Sequence, residues 1–305
     1  MTIQIIGPEA EADLSWVGLL QAFADGHRLP RADIKDLLIY RGADTLLDRA
    51  AWIDGLGGLV KAATIFPGNA ARGLPTINGA VTLFDDLTGE LTALVDFHLV
   101  TKWKTAGDSL YSASRLARKD SRNILLVGAG AVARSMVEAY RTIWPKAEFT
   151  VWSRHPATAA SMAVPLGLRV AARLEEAVPQ ADIICTCTMA TEPLISGDWL
   201  QPGQHLDLIG AYRPDMREVD DAAMARAALF VDSRATTVHH IGELMAPLKS
   251  GAITETSILA DFYDDPAGFT RQSPDQITIA KNGGGAHLDL MTASYITRAA
   301  GAGKA

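Results

Sequence analysis

Four short stretches carry residue types whose spacing could do chemistry. The first is "LLVGAGAVARS", where Gly128, Gly130 and Ala133 form G-x-G-x-x-A between an apolar run and a helix-forming one. Gly128 permits a tight turn, Gly130 lets the backbone approach a pyrophosphate, and Ala133 lets the helix pack on the strand. A helix beginning at Ala131 and Val132 would turn its free N–H groups and positive dipole end toward phosphates. The spacing predicts dinucleotide binding. At the end of the next strand, an Asp or Glu would bond the ribose 2′-hydroxyl of NAD. This chain has "VWSRHP" there. Ser153 and Arg154 offer a hydroxyl and a guanidinium, which suit a 2′-phosphate. NADP(H) is favoured and NAD(H) stays possible. The alternative for Arg154 is a solvated loop side chain.

The other three stretches involve lysines and a strand end. "GLVKAATIF" is a buried-looking run holding Lys61, and a buried lysine must be paired or bind something. "TKWKTAGDS" sets Lys102 and Lys104 on either side of Trp103, at an expected strand-to-helix junction. Cations at a helix start oppose its dipole and call for an anionic partner. A substrate carboxylate would serve, and so would salt bridges to Asp96 or Asp108. "HLDLIGAYRPDMREVD" is apolar up to Gly210 and then turns polar. Parallel strands that end this way end at a ligand, and here the large phenol of Tyr212 stands at that end.

The elements that must position these groups fall into two kinds. Residues 10–26 show helical spacing of Leu14, Val17, Leu20 and Phe23. Between 36 and 100, "DLLIYR", "LVKAATIF", "AVTLFDD" and "LTALVDFHLV" are short β-rich runs, with "DDLTGE" as a hairpin turn. A helix is expected over 104–119. After residue 121 the rhythm becomes strand, helix, strand: "NILLVGAG", a helix at 131–144, "AEFTVWSR", a helix from 156, "ADIICTCT", "HLDLIGA", a helix near 219–227 and "ALFVDS". Such alternation gives a doubly wound parallel sheet with helices on both faces. "TCTMATEP" follows one of its strands, so Thr188, Met189 and Ala190 should pass near the nicotinamide ribose. "KNGGGAH" brings three glycines just before a final helix at 287–300 and permits close backbone approach to a ligand.

The whole chain sets bounds on function. It has 305 residues, 48% hydrophobic and 21% charged, with a net charge of −7. That suits a soluble globular protein of two domains and argues against nucleic acid or an anionic membrane surface as partner. No run is long and apolar enough for a membrane span, and the N-terminus lacks the pattern of a secretion signal. Cys185 and Cys187 alternate along one strand and read as reduced core thiols of a cytoplasmic protein.

Taken together, "LVKAATIFPGNAARGLPT", "LFDDLTGELTALVDFHLVTKWKTAGDS", "LLVGAGAVA", "ATEPLISGDWLQPGQHLDLIGAYRPDMREVDD", "VDS" and "KNGGGAHLD" resemble the ornithine cyclodeaminase/mu-crystallin family. The resemblance covers nearly all of residues 57–300. It implies an α/β homodimer. An α+β substrate and dimerisation domain would comprise 1–117 and 287–305, and a Rossmann NAD(P) domain 118–286. It also implies chemistry at a carbon–nitrogen bond of a small α-amino or α-imino acid. The family's substrate-binding lysine falls on Lys61. Its Arg-Thr-Ala motif falls on Lys104-Thr105-Ala106, with Lys in place of Arg and Thr105 toward the cofactor. Thr76 and Arg41 match further substrate contacts. The glycine turn, with Gly284 and Asn282, is placed over the nicotinamide, and Gly210 beside the cofactor. The segment 42–56 departs from the family's "MP" pattern, and nothing is carried over there. His287, on the first turn of the last helix, is expected to be structural.

Tyr212 bears on the reaction. Cyclodeaminase members have a carboxylate two residues after the glycine of that strand, whereas mu-crystallin-like reductase members lack it. A tyrosine with pKa ~10 is a poor base near neutrality. Reduction of a protonated imine needs only a held carboxylate and a well-placed hydride. The leading expectation is NAD(P)H-dependent reduction of a small imino acid, or the reverse dehydrogenase reaction, with Lys61, Lys104 and Tyr212 as candidate catalytic residues. Pyrroline-2-carboxylate, iminopropionate and iminosuccinate are candidate substrates. Lys61, Lys102, Lys104 and Arg72 together would favour the dicarboxylate. The alternatives are an ornithine cyclodeaminase-type lyase using NAD internally and a non-catalytic NADP-binding crystallin-like protein.

Overall fold

The β-rich runs of the first hundred residues pair into one six-stranded sheet. Its strands are β1 (Gln4–Ile6), β2 (Asp33–Arg41), β3 (Asp44–Ile53), β4 (Gly57–Ile65), β5 (Ile77–Phe84) and β6 (Leu91–Asp96), in the order β1-β6-β5-β4-β3-β2. In this computed structural model, which describes residues 3–302, β1 pairs parallel to β6 and the other neighbours are antiparallel. The turn at "DDLTGE" forms because the Asp85 carboxylate accepts from the N–H groups of Leu87 and Thr88 and from the Thr88 hydroxyl. β3 occupies most of segment 42–56, where the family's "MP" pattern is missing. Its "DTLLDRAAWI" pairs along its whole length with β2 and β4.

Helix α1 (Trp16–Gly26) is capped by Ser15, whose hydroxyl accepts from the Gly18 N–H. It buries Trp16, Leu19, Phe23 and Gly26. The expected stripe was displaced: Val17 is 61% exposed. Leu14, Val17, Leu20 and Phe23 recur every three residues and drift off one face of a helix with 3.6 per turn. The C-terminal helix (Ala286–Ala302) packs on α1 and on β3 and β4, and its first eight residues are all buried.

Helix α2 (Phe97–Leu116) begins directly at the end of β6. The Asp96 carboxylate accepts from the Leu99 N–H at 2.7 Å and starts the helix there. A strand over all of "LTALVDFHLV" and a helix start at 104 are both corrected by this cap. Lys102 and Lys104 stand one to two turns inside the helix, so the dipole argument for an anionic partner no longer applies to them.

The chain divides into two compact units: the N-terminal part up to Lys104 together with Gly285 onward, and Thr105–Gly284. The second unit holds β7 (Asn123–Val127), α3 (Ala131–Ile143), β8 (Glu148–Trp152), α4 (Pro156–Leu166), β9 (Arg169–Val170), α5 (Leu174–Ala177), β10 (Ile183–Thr186), β11 (His205–Leu208), α6 (Asp221–Arg226), β12 (Ala228–Val231), α7 (Arg234–Thr237), α8 (Gly242–Ser250), β13 (Ile258–Ala260) and β14 (Thr278–Lys281). They form a parallel eight-stranded sheet ordered β13-β12-β14-β11-β10-β7-β8-β9. This is the doubly wound Rossmann arrangement, and its order reverses between β7 and β10. β14, an addition to the expected strands, inserts between β11 and β12. Among the described residues, no helix is long and apolar enough to cross a membrane.

Candidate active site

In the first unit, register brings charge together. Lys61 on β4 pairs with Arg49 on β3 and with Val81 on β5. The alternation Leu59, Lys61, Ala63 sends the lysine to the buried face, where it is 6% exposed. Its Nζ meets the Asp289 carboxylate of the C-terminal helix at 2.8 Å and lies 4.8 Å from the centre of the Phe97 ring. Arg49 lies 4.0 Å from the other Asp289 oxygen and also pairs with Asp36 at 2.9 Å. Lys104, 8% exposed, acts electrostatically on the same carboxylate. Burial alone would raise the Asp289 carboxyl, but Lys61, Lys104 and Arg49 outweigh it and hold it below the usual carboxylate range. Burial pushes the Lys61 ammonium below its ordinary value. Asp289 opposes that shift, while Lys104 and Arg49 add to it. Three cations thus converge on one buried acid and repel each other, and a second anion there would relieve the repulsion.

Neighbouring residues sort themselves around this cluster. Lys102 pairs with Glu11 at 2.8 Å, beside the Trp103 indole N–H that bonds the same carboxylate. It therefore has a partner on its own unit, and one different from Asp96 or Asp108. Arg41 lies at the β2–β3 hairpin, paired with Asp44 at 3.0 Å and with its side chain 78% exposed. The arginine in register with Lys61 is Arg49. Thr76 precedes β5 in a loop, where its carbonyl accepts from the Phe66 N–H. The β5 residue opposite Lys61 is Val81. The structure does not bring Arg41 or Thr76 to the cluster. Arg72 lies exposed at the end of a 3₁₀ turn. His287 is fully buried, with its ring edge-on to His27 at 5.5 Å, and burial holds it well below its ordinary value.

The second unit carries a crevice at the carboxyl ends of its strands, where the sheet order reverses. A cavity of about 160 Å³ is lined by Gly128, Trp152, Ser153, Arg154, Cys187 and Thr188, with His155, Ala190 and Leu194 completing it. Gly128 has φ +116°, and a Cβ there would stand 2.8 Å from the Cys187 carbonyl. Only glycine fits that turn. Gly130 caps α3 and faces open space, Ala131 and Val132 form the first turn, and Ala133 is fully buried against the sheet. This is the donor set and clearance that a dinucleotide needs. Cys187 lines the crevice, which corrects its reading as a core thiol; Cys185 is in the core, and both are free. Met189 is 73% exposed and does not line the cavity.

A polar interior lies behind the crevice. Lys281, fully buried on β14, donates to the carbonyls of Leu208 at 2.5 Å and Asn282 at 2.8 Å. Asn282 itself is buried, with its amide bonded to Ser109 at 3.2 Å. Gly284, at φ +67°, donates its N–H to Asp232 at 2.6 Å. The Asn282 amide and the Gly284 N–H therefore serve the protein's own interior. Thr105 lies half-buried in α2. Gly210 has no room for a side chain, since a Cβ would lie 2.2 Å from the Thr188 carbonyl. Tyr212 follows it, 57% exposed, with the Arg213 guanidinium 5.6 Å from its ring centre.

A family model for ornithine cyclodeaminase/mu-crystallin matches residues 55–304. The chain belongs to this family. It is 53% identical over 298 residues to the Δ1-pyrroline-2-carboxylate reductase of Paracoccus denitrificans, covering 95% of this chain and 94% of that one. It is 34% identical to the mouse ketimine reductase mu-crystallin over 246 residues, covering 80% of this chain and 76% of that one. The structure of Thermococcus litoralis Δ1-pyrroline-2-carboxylate reductase, in complex with NADH and L-proline, matches with a TM-score of 0.88 at 26% identity. That match covers 99% of this chain and 98% of the other.

Proposed function

We propose that this protein reduces the C=N bond of a small cyclic imino acid, of the Δ1-pyrroline-2-carboxylate class, to the corresponding amino acid. The observation that carries the reading is the convergence of buried Lys61 and Lys104 and half-buried Arg49 on Asp289. A substrate carboxylate is the anion that such a cluster accommodates. NAD(P)H supplies the hydride when bound at the glycine-rich turn. Lys61 holds the carboxylate as a charge-assisted hydrogen-bond donor, Asp289 orients Lys61, and Lys104 adds positive potential. A monocarboxylate fits better than iminosuccinate, because Lys102 is engaged by Glu11. The relative at 53% identity, named for Δ1-pyrroline-2-carboxylate, supports the same choice. The phenol of Tyr212 supports reduction over deamination, which needs a base.

NADPH is the cofactor form that Ser153 and Arg154 support, with His155 beside them and no carboxylate at the end of β8. Free thiols at Cys185 and Cys187 support a cytoplasmic setting. A homodimer through the first unit's sheet is supported by Leu37, Ile39, Trp52 and Val60, which are exposed and share one face. A concavity of about 350 Å³, floored by Ala50, Trp52, Leu59 and Phe84, lies on that sheet.

The test is NADPH and NADH oxidation with Δ1-pyrroline-2-carboxylate, set beside 2-oxo acids plus ammonia or methylamine. Fastest turnover with the cyclic ketimine is expected. Proline and ammonia formed from ornithine without net cofactor change, and no oxidation with any imine, would overturn the reading.

A further inference from the structure

Glu218 stands outside both candidate clusters, in the polar segment "PDMREVD" that follows β11. It is fully buried. Its Oε1 accepts from the Thr188 N–H at 2.8 Å and the Thr188 hydroxyl at 2.7 Å. Its Oε2 accepts from the Thr186 hydroxyl at 2.7 Å, the Gly210 N–H at 2.9 Å and the Ala211 N–H at 3.2 Å. Oε1 thus serves the loop after β10, and Oε2 joins the last residue of β10 to the segment that follows β11. The backbone of Glu218 is fixed as well. Its N–H donates to Glu243 at 2.8 Å, and its carbonyl accepts from Leu194 and Ile195. Glu243, buried beside it, also takes the Val219 N–H at 3.0 Å.

The two segments that Glu218 joins have different relations to ligand. Thr188 lines the crevice together with Gly128 and Arg154. Gly210 and Ala211 lead straight into Tyr212, and Gly210 packs so closely on Thr188 and Glu218 that no side chain fits. A carboxylate is suited to this place because it accepts from five donors without supplying one of its own.

We propose that Glu218 is a positioning residue: it locks the Thr188 wall of the cofactor crevice to the Gly210–Ala211 segment that carries Tyr212. The cofactor therefore meets a preformed wall, with no loop left to order on binding. The proposal rests on the reading of the crevice as the NAD(P)H site.

Glu218→Gln keeps the shape but turns an NH2 group toward N–H and O–H donors. The expected result is a rise of about tenfold or more in the NADPH dissociation constant, read by cofactor fluorescence without substrate. The cofactor KM rises in step and kcat falls, while the imino-acid KM stays within about twofold. A purely structural role would lower Tm and the active fraction and leave cofactor KM unchanged. Thr186→Val covers the case in which Glu218→Gln does not fold. It removes one of the five bonds at a residue that does not line the crevice, and a several-fold rise in cofactor KM is expected. Wild-type cofactor affinity and KM in a folded Glu218→Gln, or failing that in Thr186→Val, overturns the proposal. Absence of NAD(P)H binding by the unmutated protein would instead overturn the reading of the crevice.

Discussion

Replacing Asp289 by Asn tests whether the Lys61 site is built around a buried charge pair. In the native protein Lys61 and Asp289 are 2.8 Å apart and both are buried. The variant leaves Lys61 facing Lys104 and Arg49, which already push its ammonium toward neutrality. Keeping Lys61 charged there costs about 3–5 kcal/mol, the usual penalty for removing one partner of a buried pair. Neutralising it at pH 7 costs ~4.6 kcal/mol, because an unfolded lysine titrates near 10.4 and each pH unit is worth ~1.4 kcal/mol. Either route predicts a loss of about 3–5 kcal/mol. The pH dependence separates them. If folded Lys61 is neutral in the variant, folding releases a proton that the unfolded lysine still carries, so the gap to wild type shrinks by ~1.4 kcal/mol per unit between pH ~7 and ~9 as long as wild-type Lys61 keeps its proton. On the acid side the sign is opposite. The folded Asp289 carboxyl titrates below its unfolded value, so its contribution is present above pH ~4 and fades as pH falls through the folded value. Urea unfolding of both proteins at pH 7, 8 and 9 measures the gap. A loss under ~1 kcal/mol at pH 7 would refute the buried pair. A gap that does not narrow would refute neutralisation. In the same variant kcat/KM for the imino acid should drop by about 10- to 100-fold, the worth of one charged hydrogen bond to substrate, while NADPH binding stays near wild type.

Three further outcomes are expected. Arg154→Ala should erase a preference for NADPH over NADH of about tenfold or more, measured as the ratio of kcat/KM values, and equal use of both cofactors by the wild type would contradict it. Tyr212→Phe should lower kcat/KM by about the value of one neutral hydrogen bond, ~0.5–1.5 kcal/mol, and the unmutated protein should form no proline from ornithine; a drop of about a thousandfold would instead make the phenol a proton donor. Light scattering should give twice the monomer mass, and Trp52→Lys, at the exposed sheet face, should shift it toward the monomer; a wild-type monomer would count against that face as an interface.

Local signals in the sequence found much of the fold, and they failed where long-range order decides. The strand–helix rhythm after residue 121 and the Asp85 turn are written in neighbouring residues, and both form. The start of α2 depends on one local feature, Asp96 accepting from Leu99, which a continuous apolar run concealed. β14 depends on none. Four buried residues join the sheet between β11 and β12 because the connections around them leave that slot. Periodicity within so short a run cannot separate a central strand from a loop.

A similar distinction governs the candidate site. Lys61 was legible because a lone cation in an apolar run must meet something. What it meets lies 228 residues away in the chain, on a helix whose Asp289 sits between two leucines and gives the mirror-image signal. Each half of the pair announces a need, and neither names its partner. Arg49 shows why composition could not close the gap. Arg41 and Arg49 are both arginines on adjoining strands, and only register distinguishes them. Arg49 faces Lys61 across β3–β4, whereas Arg41 faces Asp44 across the hairpin. Glu218 is harder still. In "PDMREVD" it stands among charged neighbours and reads as a solvated turn. Its carboxylate is buried because five donors from two strand ends converge on it, and those donors are mostly backbone N–H groups and threonine hydroxyls that carry no pattern of their own. A buried acid satisfied by backbone leaves no complementary charge in the sequence to betray it. The geometry at the ends of β10 and β11 is therefore where such residues have to be sought.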